Sequence, residues 1–448
     1  MRKLFGTDGI RGLANAYPVT PEVAYRLGRS AALLFKSKHR LPRVVVGRDT
    51  RLSGDMLEGA LVAGVSSVGV HVLRAGVLPT PALAYLTKHY QADAGVVISA
   101  SHNPFEDNGI KFFAPNGEKL SDQMEEKIEG LFFDTRSDKV RALRRDLGQV
   151  QDEAGAMEAY CQFALSSVPE NLNLKNVHIV ADCGHGATYL TTPRVLRRLG
   201  ARVTVLHDQP DGRNINDQCG STFPRAMQEA VTRLGADIGL AHDGDGDRVL
   251  LADETGRLVD GDRILGLCAL HLQASRKLAR QTVVATVMSN LGFERAMREA
   301  GIRLLRAPVG DRYVLEEMKR QGAMLGGEQS GHVIFREHHA TGDGLITALQ
   351  VLKVMKESGK PLAELKAFMK EVPQLLVNVP VRRRVDLSRL KAVRAAVERV
   401  EKALGQGGRV LVRASGTEAK VRIMLEGESQ AEIETFAGQI AEAVRKSV

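Results

Sequence analysis

The sequence predicts an α/β protein: three similar α/β domains with mixed, mostly parallel sheets, plus a smaller C-terminal α+β domain, around one central cleft. Two observations carry this expectation. An apolar strand, a helical stretch, a second strand, a second helix and a third strand recur three times, and each third strand runs into a polar, Gly-rich loop. The tail breaks that pattern and reads as strand, helix, strand, loop, strand, helix. Strands that alternate with helices are covered on both faces and favour parallel sheets. Ligands of such sheets bind beyond the carboxyl ends of the strands, so three comparable loops point to one shared site. A chain of 448 residues has room for about three or four domains.

The first copy begins at Val44-Val45-Val46-Gly47-Arg48-Asp49. Its second strand is Val70-His71-Val72-Leu73, and its third, Ala94 to Ile98, ends in Ser99-Ala100-Ser101-His102-Asn103-Pro104. The second copy begins at Val177 to Asp182 and has a helical run through Val195 to Leu199. It continues with Val203 to Leu206, then Ile238 to Ala241, ending in Asp243-Gly244-Asp245-Gly246-Asp247-Arg248. The third copy begins at Val283 to Val287, passes Ile302 to Leu305 and closes at Ala323-Met324-Leu325. Its loop is Gly326-Gly327-Glu328-Gln329-Ser330-Gly331-His332. In the tail, Leu375 to Val381 reads as a strand and Leu390 to Leu404 as a helix. Val410 to Met424 reads as strand, loop, strand, and Glu432 to Val448 as a final helix. The expected domains are 1–150, 151–253, 254–370 and 371–448.

Composition removes several function classes. Hydrophobic residues at 44% and charged residues at 26% exclude a long disordered chain. The absence of Trp and an aromatic content of 4% argue against a surface that stacks on bases. Cys161, Cys183, Cys219 and Cys268 lie far apart without a CxxC, which excludes a disulfide scaffold and a cysteine zinc site and fits a reducing cytosol. The net charge of +9 attracts anions, either nucleic acid or phosphorylated metabolites. The basic clusters at Arg141 to Arg145 and Arg382 to Arg384 are separate and read as solvated faces, so no nucleic-acid partner is expected. The longest uncharged apolar stretch, Gly59 to Leu73, contains Ser66, Ser67 and His71 and is too polar to span a membrane. Arg2 and Lys3 are followed at once by Gly6, Thr7 and Asp8 rather than by an apolar run, so no signal peptide is expected and the location is cytoplasmic.

The three loops offer different chemistry. Asp243, Asp245 and Asp247, spaced by glycines, suit a hard divalent cation, because three carboxylates this close repel unless something neutralises them. A calcium EF-hand has Gly at its sixth position, where this loop has Arg248, and helical rather than strand flanks. Glu254 does fall at the twelfth. The remaining alternative is an Asx-rich turn. With a phosphate substrate, Mg²⁺ is the natural occupant. Ser101 follows a buried-looking strand without a GxSxG elbow, so it reads either as a turn Ser before Asn103-Pro104 or as a phosphoryl acceptor. Lys111 reads as a solvated strand Lys or as a cation near that serine, and as a proton-transfer group if its pKa is lowered. His332 is a general-base candidate, and Glu328 and Ser330 offer hydrogen bonds to a polyol or amine. Arg413-Ala414-Ser415-Gly416-Thr417 with Arg422 reads as a phosphate cradle or as a surface turn.

Together with Phe5-Gly6-Thr7-Asp8-Gly9-Ile10-Arg11-Gly12, these loops resemble the α-D-phosphohexomutase superfamily, over essentially the whole chain and in the same order. Glu328-Gln329-Ser330-Gly331-His332 and Thr286 to Gly292 are similar to the branch that acts on glucosamine phosphates. Phosphomannomutase/phosphoglucomutase members, the nearest alternative, typically have Met at the place of Gln329. The resemblance implies a four-domain enzyme interconverting glucosamine 6-phosphate and glucosamine 1-phosphate through a sugar 1,6-bisphosphate, in cell-wall precursor synthesis. It implies Ser101 as the phosphorylated serine, with Asp243, Asp245 and Asp247 holding one Mg²⁺ together with it. Arg11, His102, Lys111 and Arg248 would surround the transferring phosphoryl group. Glu328, Ser330 and His332 would contact the sugar, and Arg413, Ser415, Gly416, Thr417 and Arg422 the distal phosphate. A homodimer through the first domain is also implied. The family's phosphate loop usually reads R-x-S-G-T-E-P, and Ala419 stands in place of its Pro.

Overall fold

A computed structural model describes residues 4–6, 8–36, 41–381, 386–414 and 420–447. Four sheets follow one another along the chain. The first contains β1 (Ile10–Leu13), β2 (Arg43–Arg48), β3 (His71–Val77), β4 (Ala94–Ile98), β5 (Asp107–Phe113) and β6 (Val150–Asp152), in the order β1-β5-β4-β2-β3-β6. The second contains β7 (His178–Asp182), β8 (Arg202–Leu206), β9 (Ile238–His242), β10 (Val249–Asp253) and β11 (Leu258–Val259), in the order β11-β10-β9-β7-β8. The third contains β12 (Thr282–Thr286), β13 (Arg303–Ala307), β14 (Leu325–Gly327) and β15 (Val333–Phe335), in the order β13-β12-β14-β15.

The repeat is the same in all three. The opening strand (β2, β7, β12) is central, and the next strand (β3, β8, β13) pairs with it in parallel on one side. The third strand (β4, β9, β14) pairs with it in parallel on the other. An antiparallel partner (β5, β10, β15) then folds back along the third strand. The loop of interest in each copy is therefore the turn between the third strand and its antiparallel return. β4, β7, β9 and β12 are buried along their whole length, as strands covered on both faces must be.

Two sheets run past the expected domain limits: β6 ends at Asp152 and β11 at Val259. The third copy also departs from its expected strand. Gly326 and Gly327 belong to β14, and the loop begins only at Glu328. The helix Asp311–Gln321 presses on this strand, and a Cβ on Gly326 would lie 2.7 Å from Met318 Sδ and 2.8 Å from Val284 O. Glycine here permits close packing in a strand rather than a loop.

The C-terminal sheet, of β16 (Gln374–Pro380), β17 (Arg409–Ala414) and β18 (Lys420–Glu426), is antiparallel with β18 in the middle, and is accompanied by helices Lys391–Leu404 and Gln430–Ser447. Apolar packing divides the molecule at this point. One continuous buried cluster joins Val45 and Leu83 of the first sheet region to Ile179 and Leu240 of the second and Val283 and Leu325 of the third. The C-terminal unit has its own core, including Val379, Val393, Ile423 and Ile440. No described helix is long and apolar enough to cross a membrane. All four cysteines are free and buried. The basic cluster at Arg382 to Arg384 lies outside the described residues, whereas Arg141, Arg144 and Arg145 are exposed.

Candidate active site

Ser101 lies in the turn three residues after β4, with φ 54°, a left-handed backbone that a non-glycine residue adopts only when its surroundings hold it. Its amide N–H donates to Ser99 Oγ at 2.9 Å, and Ser99 Oγ donates to Asp49 Oδ2 at 2.6 Å. Arg51, paired with Asp49 at 2.9 Å, donates to Ser101 O at 2.9 Å, Asn103 O at 2.8 Å, Asp107 O at 3.0 Å and Pro104 O. Asn216 Nδ2 also donates to Ser101 O, at 2.9 Å. One buried guanidinium thus gathers the carbonyls of the whole serine loop. Asp49 and Arg51 follow the central strand of the first sheet at the same edge as Ser101. Nothing in their residue types marks them as functional, but a charged pair at the carboxyl end of a parallel strand is a signal that topology supplies.

The serine hydroxyl faces the acidic loop: Ser101 Oγ donates to Asp243 Oδ2 at 2.7 Å across the boundary between first and second sheets. Close approach requires glycine at 244, where a Cβ would lie 2.7 Å from both Ser101 O and Asn216 Nδ2. Asp243, Asp245 and Asp247 are buried, with ligand atoms all within 4.8 Å of one another. Burial, then the neighbouring charges of Asp247 and Asp245, push the Asp243 carboxyl well above the usual range. Asp245 Oδ1 and Asp247 Oδ1 are buried without a hydrogen-bond partner. Unsatisfied oxygens on crowded carboxylates match the all-oxygen donor set of a hard divalent cation, and the three residues fit such a metal.

Cations surround this cluster. Lys111, in β5, is buried rather than solvated, 2.9 Å from Asp245 Oδ2 and 3.1 Å from Asp8 Oδ2. Burial pulls its ammonium down, but Asp245 and Asp8 outweigh this and hold it above the ordinary lysine value. Thr80 Oγ1 donates to the same Asp245 oxygen at 2.7 Å. Arg11 pairs with Asp8 and donates to Ala100 O at 3.5 Å. Arg248 Nε lies 3.7 Å from Asp247 Oδ1 and 3.9 Å from Asp243 Oδ2. His102 is pushed down to about 4 by burial and by Arg248 and Arg11, so its imidazole is neutral near pH 7. Lys119, which no sequence signal marks, lies 2.5 Å from Asp8 Oδ1 and 2.5 Å from Asp311 Oδ2, joining first and third domains.

From the third copy, His332 is buried, with Nδ1 3.5 Å from Asp247 Oδ2. The Gly342 amide N–H donates to Nε2 at 3.1 Å, Asp311 Oδ2 lies 3.6 Å from the same nitrogen, and although burial pulls the imidazole down, Asp247 and Asp311 outweigh it and hold the pKa above its ordinary value. Glu328 is half-buried and accepts the Gly310 N–H at 3.0 Å, while Ser330 is exposed at the tip of the turn. In the C-terminal sheet Arg413 and Arg422 stand directly opposite each other on β17 and β18. Burial and the Arg422 charge lower the Arg413 pKa, as expected where two guanidiniums share a face that favours an anion. Ser415, Gly416, Thr417 and Ala419 lie outside the described residues. Ser101, Lys111, Arg11, Arg248, His332 and the three aspartates therefore meet in one charged cluster. Arg413 and Arg422 belong to the separately packed unit.

Family models for the four domains of phosphoglucomutase/phosphomannomutase match the chain in order. The alpha/beta/alpha domains I, II and III match residues 2–139, 158–256 and 260–372, and the C-terminal domain matches 376–443. The phosphoglucosamine mutase of Desulforudis audaxviator is 54% identical over 430 residues, covering 96% of this chain and 95% of its own. That of Syntrophotalea carbinolica is 50% identical over 448 residues, covering 99% and 98%. Among solved structures, a phosphoglucomutase/phosphomannomutase family protein from Burkholderia thailandensis superposes with a TM-score of 0.82 at 24% identity, over 99% of this chain and 97% of its own. The N-acetylphosphoglucosamine mutase of Aspergillus fumigatus, solved with GlcNAc-6P and magnesium, does so with a TM-score of 0.72 at 19% identity, over 99% and 96%.

Proposed function

The chain belongs to the phosphoglucomutase/phosphomannomutase family, and from that premise we propose that it interconverts glucosamine 6-phosphate and glucosamine 1-phosphate through a phosphoserine at Ser101. It is a phosphohexomutase, an isomerase by overall reaction. The observation that carries the assignment of the serine is the 2.7 Å contact of Ser101 Oγ with Asp243 inside a cluster of carboxylates and cations. The amino-sugar preference rests on the relatives about half identical over the full chain.

In the first half-reaction the phosphoryl group leaves Ser101 Oγ for the free hydroxyl of the bound sugar phosphate, giving glucosamine 1,6-bisphosphate. The P–Oγ bond breaks, a new P–O bond forms, and the proton lost by the attacking hydroxyl ends on Ser101 Oγ, which leaves as a free serine hydroxyl. The bisphosphate then turns end for end, and Ser101 takes the other phosphoryl group. Both halves use one reacting centre and one holding site for the idle phosphate. Arg413 and Arg422, with the Ser415-Gly416-Thr417 segment, are the holding site in this reading. Arg11, Arg248 and Lys111 balance the charge on the moving phosphoryl group, which is most of what phosphoryl transfer needs from a protein. His102, neutral in this setting, can hydrogen-bond to the phosphoryl oxygens, and His332 orients Asp247. Glu328 and Ser330 face the sugar, Glu328 being the carboxylate available to an amine.

Asp243, Asp245 and Asp247 would hold Mg²⁺, the metal present in the A. fumigatus fold neighbour. When bound, that ion would neutralise the carboxylates and the phosphoserine oxygens. We infer a cytoplasmic enzyme, where sugar phosphates are made and used.

The test is Ser101→Ala. The hydroxyl makes one hydrogen bond, so the variant should fold with a thermal midpoint within a few degrees of the parent. Its turnover should fall at least ~10³-fold, as losses of a nucleophile do. Retention of most activity would remove the phosphoserine from the reaction.

A further inference from the structure

The segment Thr286 to Gly292 takes no part in the chemistry above, yet it is where the C-terminal unit is fastened. It leaves the central strand β12 at the carboxyl edge of the third sheet. Four of its consecutive residues are bound to that unit or to the chain leading into it. Met288 O accepts from Gln374 Nε2 at 3.0 Å, and Ser289 O accepts from Arg409 Nη2 at 3.0 Å. Asn290 donates to Val372 O at 2.8 Å and accepts from Val372 N at 3.1 Å. Leu291 N donates to Glu426 Oε1 at 2.8 Å. Glycine at 292 permits the approach, since a Cβ there would lie 2.1 Å from Lys370 O.

Glu426 is the hub. It is wholly buried and also accepts from Arg409 Nε at 2.8 Å and Gln374 Nε2 at 3.1 Å. A buried carboxylate with every donor in place holds one geometry, and removal of its charge leaves those donors short of a strong acceptor. Its position explains why that matters. Arg409 and Glu426 face each other at one end of β17 and β18, and Arg413 and Arg422 face each other four residues further along the same two strands. At about 3.3 Å per residue the fastening lies ~13 Å from the arginine pair, so a tilt of about 5° would move those guanidiniums by ~1 Å. Because the C-terminal unit has its own apolar core, such polar contacts have a large share in fixing its angle.

We propose that Glu426, with Arg409 and Asn290, is a positioning residue for the mutase reaction: it sets the angle at which the Arg413/Arg422 pair faces Ser101, and so how well the bisphosphate is held while it turns. The proposal rests on the reading of that pair as the distal-phosphate site. Glu426→Gln in the full chain should raise KM for glucosamine 6-phosphate by about tenfold, with a smaller fall in kcat, and release more free bisphosphate per turnover, because misplacement near 1 Å is costly in such sites. Spin labels at Glu316→Cys and Glu401→Cys, both exposed in the parent while its own cysteines are buried, should report a broader distance distribution in the variant. Should Glu426→Gln not fold, Arg409→Lys, which keeps the charge but gives up the two-pronged contact, should show the same changes more weakly. A lowered melting temperature with unchanged KM and distance distribution would overturn the proposal, as would a broadened distribution with unchanged KM. If the parent does not turn over glucosamine phosphates at all, the functional reading fails instead, and the label distances still decide whether Glu426 holds the angle.

Discussion

At the scale of single residues, the reacting centre is held by a side chain that does no chemistry. Arg51 spans four carbonyls of the serine loop and is itself paired with buried Asp49. Arg51→Met should destabilise the fold by about 3–5 kcal/mol, the usual cost of leaving one partner of a buried pair uncompensated. Arg51→Lys should recover little, because an ammonium cannot serve four acceptors in a plane. Chemical denaturation of both variants checks this. His339 makes a separate prediction. It is buried, with Nε2 donating to Pro81 O at 2.8 Å and Nδ1 accepting from Ala340 N at 3.0 Å, and burial pushes it down to about 4. Between its unfolded value near 6.5 and about 4, the unfolded chain binds a proton that the native chain refuses, so stability falls as pH is lowered through this window. The melting temperature of His339→Gln should be less sensitive to pH between about 7 and 5 than that of the parent. An equal slope in both proteins would assign the pH dependence elsewhere. The three aspartates stood out in sequence because their chemistry is written within five residues, whereas Ser101 and Lys111 each had a plain structural reading beside the functional one until the fold brought them together. Arg51 and Lys119 were not legible, since each acts on residues fifty or more positions away or in another domain.

At the scale of elements, the repeat was legible because the period of apolar strands and helices changes where the structure changes, and the three third-strand loops arrive where parallel-sheet logic puts them. The antiparallel returns β5, β10 and β15 were less so, being short or continuous with the loops. β14 was misplaced because its glycines read as loop, whereas they serve packing against Met318. The glycines of the acidic loop have a different purpose. Gly244 lets two turns from different domains touch, so Gly244→Ala should displace Asp243 from Ser101 and weaken the metal site. Titration of the metal-stripped protein with Mg²⁺, followed by recovered turnover, should show at least a ~10-fold rise in the concentration needed, an effect on the scale of lost supporting contacts around a metal. Unchanged Mg²⁺ dependence would mean that the loop tolerates a Cβ.

At the scale of the whole molecule, one apolar core joins the first three domains, which also carry clusters of their own on the outer sheet faces, whereas the C-terminal unit is filled by a core that shares nothing with them. Amides of β16 and β17 should therefore exchange with solvent faster than those of β7 or β12, and a sugar phosphate should slow them selectively. Uniform protection across all four sheets would contradict the separate packing. The four-part architecture followed from the sequence repeat. The fastening of the last part did not, because Glu426 and Arg409 are ordinary letters until the fold joins them to the Ser289-Asn290-Leu291 turn.

The most direct test is kcat/KM for glucosamine 6-phosphate, glucose 6-phosphate and mannose 6-phosphate, measured with Mg²⁺ on protein primed with a sugar 1,6-bisphosphate. A preference of at least ~10-fold for the amino sugar, the discrimination expected of a site that pairs a charged group on its substrate, is the predicted result. Equal or better turnover of glucose or mannose phosphate would contradict the amino-sugar assignment.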